Sequence, residues 1–350
     1  MIDGKTILVT GGTGSFGKTF VKKLLVDFNP RKIIVFSRDE AKQHFMRVEY
    51  KNMVSPTEEI MYKNFEEKLE FRIGDIRDYD SVIAAIQGVD IVVNAAALKQ
   101  VPSCEYFPLE AIKTNCLGVA NLIKAINTTK NDVKVCIGIS TDKATKPINV
   151  MGMTKALQEK LFIAANINSE CRFTCVRYGN VLASRGSVIP FFHDQIKNGQ
   201  DLTVTHVQMT RFLMSLNDSV SLVLDAINYG GKGQIFVPIT PSAKMIDLAN
   251  VLKDFNQHQG DIKIVGIRPG EKLHEELVSS EEGCRTYHAE DLDRYIIYPM
   301  LPEITNVTTH DLRTPYSSKQ TSLTRQELKE FLDEHNLLYV DKAFNGELLC

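Results

Sequence analysis

Three features of the sequence predict an α/β protein built on a doubly wound parallel sheet, with a smaller C-terminal substrate-binding lobe. Short β-branched runs alternate with longer stretches of helical period through the first half of the chain. A glycine-rich turn, Gly11-Gly12-Thr13-Gly14-Ser15-Phe16-Gly17, joins the first run to the first helical stretch. After about Arg185 the alternation fades into shorter elements, and 350 residues suffice for two domains of ordinary size.

The predicted strands are Thr6–Thr10, Lys32–Phe36, Leu69–Ile73, Asp90–Asn94, Val133–Ser140 and Phe173–Val176. Between the first two, Phe20, Val21, Leu24 and Leu25 recur at helical spacing while Lys18, Lys22 and Lys23 take the other face, so this helix packs one side on a sheet. Residues 1–185 are therefore assigned to a Rossmann-like dinucleotide-binding domain, to which later segments can return. Residues 186–300 form the lobe, with a helix from Val188, a strand near Leu202, a helix over Leu216–Ala226, a strand at Gln234–Val237 and a helix from Lys244. Residues 301–350 supply a polar covering segment, Thr305–Gln320, and a last helix near Arg325–His335.

Composition narrows the function. With 43% hydrophobic and 24% charged residues, disorder and fibrous repeats are excluded. Forty-one Lys+Arg against 43 Asp+Glu leave a net charge of -2, which gives no bulk attraction to nucleic acid or an anionic membrane. The seven cysteines are scattered and lack paired C-x-x-C spacing, which fits reduced thiols in a cytosol. No apolar run approaches the ~18 residues of a membrane span and no leader pattern is visible, so a cytoplasmic location is expected. The eight histidines form no ligand cluster, and no metal is expected.

Gly11, Gly14 and Gly17 have the spacing that lets a pyrophosphate sit against backbone N–H groups at a helix N-terminus, with Thr13, Ser15 and Phe16 between them. The second strand ends at Ser37-Arg38-Asp39, roughly 20 residues beyond the last glycine, where such folds read the adenosine ribose. Arg38 offers a fork for a 2′-phosphate and Ser37 a hydroxyl, so NADP is favoured over NAD. Asp75 and Ile76 follow the third strand, where Asp75 can cap an adenine. Ala95, Ala96 and Ala97 follow the fourth and let backbone approach a cofactor.

Through Gly11–Gly17, Asp75, Asn94–Ala97 and Asn115, the chain resembles the extended short-chain dehydrogenase/reductase superfamily. The resemblance narrows at Ala97-Leu98-Lys99-Gln100-Val101-Pro102, Ser140-Thr141-Asp142-Lys143-Ala144, Arg177-Tyr178-Gly179-Asn180-Val181 and Arg268-Pro269-Gly270-Glu271-Lys272. In that order these segments are similar to the inverting UDP-N-acetylglucosamine 4,6-dehydratases, the soluble polysaccharide-biosynthesis branch, from residue 1 to about 280.

The resemblance implies oxidation at C4 of the hexose, loss of the C5 proton, departure of O6 as water and return of the hydride to C6. The product would be UDP-2-acetamido-2,6-dideoxy-L-arabino-4-hexulose. On this reading Asp142 is the acid at O6 and Lys143 the base at C5. Lys143 must then be neutral, and a nearby Lys155 ammonium, a positive nicotinamide and a dry pocket would lower its pKa. The resemblance also assigns Asn115, Lys155 and Tyr178 to the cofactor. It gives Lys99 to a substrate hydroxyl or phosphate, Asn180, Arg211 and Arg268 to the diphosphate, and Glu271 to the uridine ribose. Homo-oligomers, including hexamers, are expected of such proteins.

One departure stands out. The superfamily's Tyr-x-x-x-Lys pair is Met151-Gly152-Met153-Thr154-Lys155 here, so Lys143, Lys155 or a water held by Thr141 must take the O4 proton. A UDP-glucose 4,6-dehydratase, a UDP-hexose 4-epimerase and a catalytically silent NADP-binding regulator stay open as alternatives. Cys104 is either a small buried filler or a redox-sensitive thiol.

Overall fold

The structure, a computed structural model, describes residues 1–51, 68–128, 133–182, 187–305, 307 and 312–340. The first six strands are β1 (Thr6–Thr10), β2 (Lys32–Ser37), β3 (Leu69–Ile73), β4 (Ile91–Asn94), β5 (Val135–Thr141) and β6 (Arg172–Tyr178). They lie parallel in the order β3-β2-β1-β4-β5-β6. The order reverses between β1 and β4, and a crevice opens at the carboxyl ends of such strands.

Side-chain alternation explains the double winding. In β1, Ile7 and Val9 face a core shared with Phe20, Val21, Leu24 and Leu25 of the Ser15–Asp27 helix. Leu8 faces the opposite core, with Val119 and Leu122 of the Gly118–Thr128 helix and Phe162 and Ile163 of the Val150–Ala165 helix. All five residues of β1 are buried, and its centre, Ile7-Leu8-Val9, is apolar on both faces rather than alternating.

The stretch assigned to the lobe divides in two. Ile235–Pro238 pairs in parallel with β6, and Arg294–Ile297 and Thr286–Ala289 extend the same sheet antiparallel, giving nine strands. The Leu216–Tyr229 helix crosses between β6 and Ile235–Pro238 and packs Val220, Val223 and Ile227 on the β1 core. These segments return to the large sheet, and the wholly buried Ile-Phe-Val-Pro run fits a place inside it. What remains of the lobe has its own core, from Ile189 and Phe192, Leu202 and Val204, Leu248 and Leu252, and Leu328 and Leu332 of the last helix. The boundary at residue 185 lies outside the described residues, as do 341–350 of the C-terminal segment. Within the covering segment, Tyr316–Ser317 pairs antiparallel with Glu276–Val278.

Candidate active site

A cleft of about 1090 Å³ runs along the carboxyl ends of the parallel strands, from the glycine-rich turn to Arg268–Glu271. Gly11 takes φ +65°, and a Cβ there would lie 2.8 Å from Ala96 N, so only glycine lets the two loops meet. Thr10 fixes that approach: its hydroxyl donates to Asn94 Oδ1 at 2.6 Å and accepts from Ala96 N at 3.2 Å. A Cβ at Gly17 would strike Gly12 Cα at 2.5 Å, which sets how closely helix and turn pack. Gly14 caps the helix with no side chain, leaving its first N–H groups facing the cleft beside Thr13, Ser15 and Phe16. Such a cradle of free N–H groups at a helix N-terminus suits an anionic group such as a diphosphate.

At the far end of the cradle, Ser37 Oγ lies 3.0 Å from Thr13 Oγ1, and Arg38 lies 3.7 Å from Asp75 Oδ2. Asp75 and Ile76 line the cleft, but the Asp75 carboxylate is already gripped by Arg77 through bonds of 2.6 to 3.0 Å. Burial opposes its ionisation, yet Arg77 and Arg38 hold it below the usual carboxylate range. Lys42, which the sequence reading missed, adds a second cation to this wall.

The Thr141-Asp142-Lys143 segment leaves β5 as one 3-10 turn. Thr141 and Lys143 line the cleft; Asp142 does not. Its carboxyl is fully buried, with Oδ1 accepting from Lys143 Nζ at 3.0 Å and from Thr141 Oγ1 at 2.9 Å. Asp142 Oδ2 has no hydrogen-bond partner among the described residues, and a Cβ on Gly179 would sit 3.3 Å from it. Of the expected acid and base, the structure thus places Lys143 on the cleft wall and Asp142 behind it, hydrogen-bonded to Thr141.

Lys143 Nζ also donates to Asn180 Oδ1 at 3.3 Å and lies 3.9 Å from Glu275 Oε1. Burial pushes its pKa down, but the Asp142 and Glu275 carboxyls outweigh burial and hold it above the ordinary lysine value. The expected lowering is therefore corrected, since no local pattern signals that Glu275 arrives here from far downstream in the chain.

Lys155, by contrast, is depressed. Buried on the cleft wall, with Nζ donating to Gln158 Oε1 at 2.7 Å, it falls to about 8 through desolvation. Met151, one turn earlier, lines the same wall and packs with Cys104 and Ala111. Cys104 is fully buried and burial raises its thiol, which supports the filler reading. Asn115 sits in a π-helical turn and does not line the cleft. Its amide ties Leu98 N, Leu98 O and Thr154 Oγ1 together. Tyr178, Lys99, Asn180, Arg211, Arg268 and Glu271 all line the cleft. Arg211 is held by Thr210 O at 2.7 Å, and Glu271 Oε2 is a buried oxygen with no hydrogen-bond partner among the described residues. Among the described residues no metal-ligand cluster occurs and no helix is long and apolar enough to cross a membrane.

Behind the site, Arg177 is 1% exposed and bridges three segments. It binds Glu159 of the Lys155 helix at 2.7 and 2.9 Å, Glu282 at 2.8 and 2.9 Å, and Leu277 O at 2.9 Å. Ser140 Oγ, next to the Thr141–Lys143 turn, donates to the same Glu159 at 2.5 Å.

Residues 7–297 match the family described as polysaccharide biosynthesis protein. The chain belongs to that family. A Rickettsia bellii protein named UDP-glucose 4-epimerase is 45% identical to it over 361 aligned positions, which cover 99% of this chain and all of the relative. The X-ray structure of Pen from Bacillus thuringiensis superposes with a TM-score of 0.85 at 34% identity, covering 96% of this chain and 99% of Pen. DesIV of Streptomyces venezuelae, a dTDP-glucose 4,6-dehydratase, shares the fold at a TM-score of 0.64 and 20% identity, over 77% of this chain and 86% of DesIV.

Proposed function

We propose that this family member is a UDP-N-acetylglucosamine 4,6-dehydratase that inverts C5, working with NADP. The observation that carries the reading is the amine of Lys143 on the cleft wall, fixed by a buried carboxyl at 3.0 Å, close to the carboxyl ends of β5 and β6. A reaction confined to C4 needs no such pair; removal of a proton from C5 and of hydroxide from C6 needs both a base and an acid. Lys143 is the base. Once Lys143 holds the C5 proton, Asp142 takes a proton from that ammonium and returns it to the Thr141 hydroxyl as the hydroxyl gives its own proton to the departing O6.

The cradle of Gly11, Gly14, Gly17 and Ala96 fits a dinucleotide, and Arg38 with Lys42 supports a 2′-phosphate over a bare ribose. When bound, the nicotinamide supplies acceptance of the C4 hydride and its return at C6. Lys155 takes the O4 proton in place of the absent phenol, being buried on the cleft wall with a pKa near neutrality, about 8. Arg211, Arg268 and Asn180 hold the diphosphate, Glu271 the uridine ribose, and Lys99 a sugar hydroxyl or phosphate oxygen. Met153 and Leu157 are exposed one turn apart on the Lys155 helix, beside exposed Leu109, Ile112 and Leu117, and this apolar face supports self-association. A cytoplasmic site of action fits free thiols at Cys104, Cys116, Cys136, Cys171, Cys175 and Cys284.

A second reading, UDP-hexose 4-epimerase, is favoured by the name of the Rickettsia relatives. Incubation with UDP-N-acetylglucosamine in heavy water separates the two. The dehydratase yields a 4-keto-6-deoxy sugar with deuterium at C5 and no added cofactor, and releases NADP on denaturation. An epimerase yields UDP-N-acetylgalactosamine with C5 unlabelled, and that outcome would discard the proposal.

Met151→Tyr tests the O4 relay. With Lys155 in that role, single-turnover reduction of the cofactor should change by no more than about threefold. It should rise with pH through about 8, as the amine loses its proton. A tenfold or greater gain would mean that the missing phenol limits oxidation.

A further inference from the structure

Glu275 belongs to none of the groups assigned above, yet it lies on the cleft wall and is 2% exposed. Its backbone is locked on both sides by Ser318, whose hydroxyl accepts from Glu275 N at 3.0 Å and whose N–H donates to Glu275 O at 2.9 Å. The side chain is thereby aimed into the space between two lysines, with Oε1 3.9 Å from Lys143 Nζ and Oε2 3.9 Å from Lys272 Nζ. Oε2 has no hydrogen-bond partner among the described residues, a costly state for a buried carboxylate and a tolerable one for a carboxylic acid.

Resting on the dehydratase reading, we propose that Glu275 is the proton acceptor for Lys143: it removes a proton from the Lys143 ammonium when substrate excludes water, and so creates the free amine that attacks C5–H. One N–H bond breaks, one O–H bond forms, and the ion pair becomes a neutral pair with no change in net charge. Lys143 then takes the C5 proton.

The proposal accounts for an otherwise awkward arrangement, a base whose neighbours keep it charged. Three observations support it. Burial raises the Glu275 carboxyl above the ordinary glutamate range, which makes it an unusually willing acceptor. Loss of water favours a neutral pair over an ionic one, because the desolvation cost falls on both charges. The charges facing Glu275 also suit the exchange: Asp142 opposes a second carboxylate, while Lys143, Arg211 and Lys272 pull the other way and hold its rise in check. Lys272 is anchored on Thr145 O and does not line the cleft, so an amine freed there would not face a substrate. Direct transfer requires the 3.9 Å gap to Lys143 to shorten by about 1 Å.

The test uses the full-length enzyme with UDP-N-acetylglucosamine, comparing wild type, Glu275→Gln and Glu275→Asp. Glu275→Gln keeps the shape but cannot take a proton, so kcat and C5 exchange should fall about 100-fold with KM within about threefold and cofactor content unchanged. Its residual kcat should climb with pH up to the lysine range, since Lys143 must then lose its proton to solvent. Glu275→Asp should recover part of the rate and restore the wild-type pH profile. A Glu275→Gln enzyme that keeps both the wild-type kcat and its pH profile, while wild type dehydrates normally, overturns the role of Glu275 and leaves the dehydratase reading standing. That role also falls if the loss is a KM effect alone, or if Glu275→Asp is no better than Glu275→Gln. A wild type that only epimerises C4 overturns the dehydratase reading, and this role with it.

Discussion

Lys143→Ala is expected to abolish measurable dehydration, with kcat down by about 10² to 10⁴ and solvent exchange at C5 lost to the same degree. Cofactor should remain bound, because the cradle from Gly11 to Gly17 and Ala96 lies on the β1 and β4 loops and makes no use of the amine. Stability should fall too, since the fully buried Asp142 would lose its ammonium partner. Cofactor content and thermal unfolding, measured on the same sample, separate lost chemistry from lost fold. Exchange persisting at the wild-type rate in a folded, cofactor-loaded variant would remove Lys143 from the base role.

Arg177→Met should cost about 3 to 5 kcal/mol of stability, the largest effect expected from any single change away from the cleft. The guanidinium makes five hydrogen bonds in a dry interior, and its removal strands Glu159 and Glu282. Urea or thermal unfolding reads the loss; a cost under about 1 kcal/mol would mean that the network is not cooperative. The acid limb gives an independent reading. Burial would raise the Glu282 carboxyl, but Arg177 overrides it and brings it from 4.5 down to about 2. A depressed carboxyl contributes stability above its unfolded value and loses it as pH falls, so wild type should weaken between about pH 4.5 and 2. Arg177→Met should have a flatter dependence there.

The dinucleotide half was legible because its signals are local. Gly11, Gly14 and Gly17 lie within seven consecutive residues between a strand and a helix, and β1 and β3 fall on the predicted boundaries. The chemistry of the turn was legible only in part. Thr141, Asp142 and Lys143 are adjacent in sequence, but adjacency does not tell which side chain faces the cleft. That depends on residues distant in sequence, such as Gly179 after β6, where a Cβ would lie 3.3 Å from Asp142 Oδ2. Glu275, Lys272 and Glu282 were out of reach for the same reason. They carry no periodicity, and their positions follow from long-range pairing of Glu276–Val278 with Tyr316–Ser317 and from the grip of Arg177. Which later segments return to the large sheet was not legible, because a short apolar strand such as Ile235–Pro238 reads alike in a lobe or in a central sheet; the parallel partner β6 distinguishes them.

The pairing of Tyr316–Ser317 with Glu276–Val278 has a consequence for biosynthesis. About the first 180 residues contain every part of the dinucleotide cradle and the Lys143 turn, so that half can organise while the rest of the polypeptide is still emerging. Glu275, however, is held by Ser318, and the neighbouring Tyr316 hydroxyl bonds both the N–H and the carbonyl of Thr240, contacts that need the chain to have emerged past residue 318. If the proposed function holds, a partly made chain would accept a nucleotide before it could alter one, and would have no means to create a reactive keto-sugar.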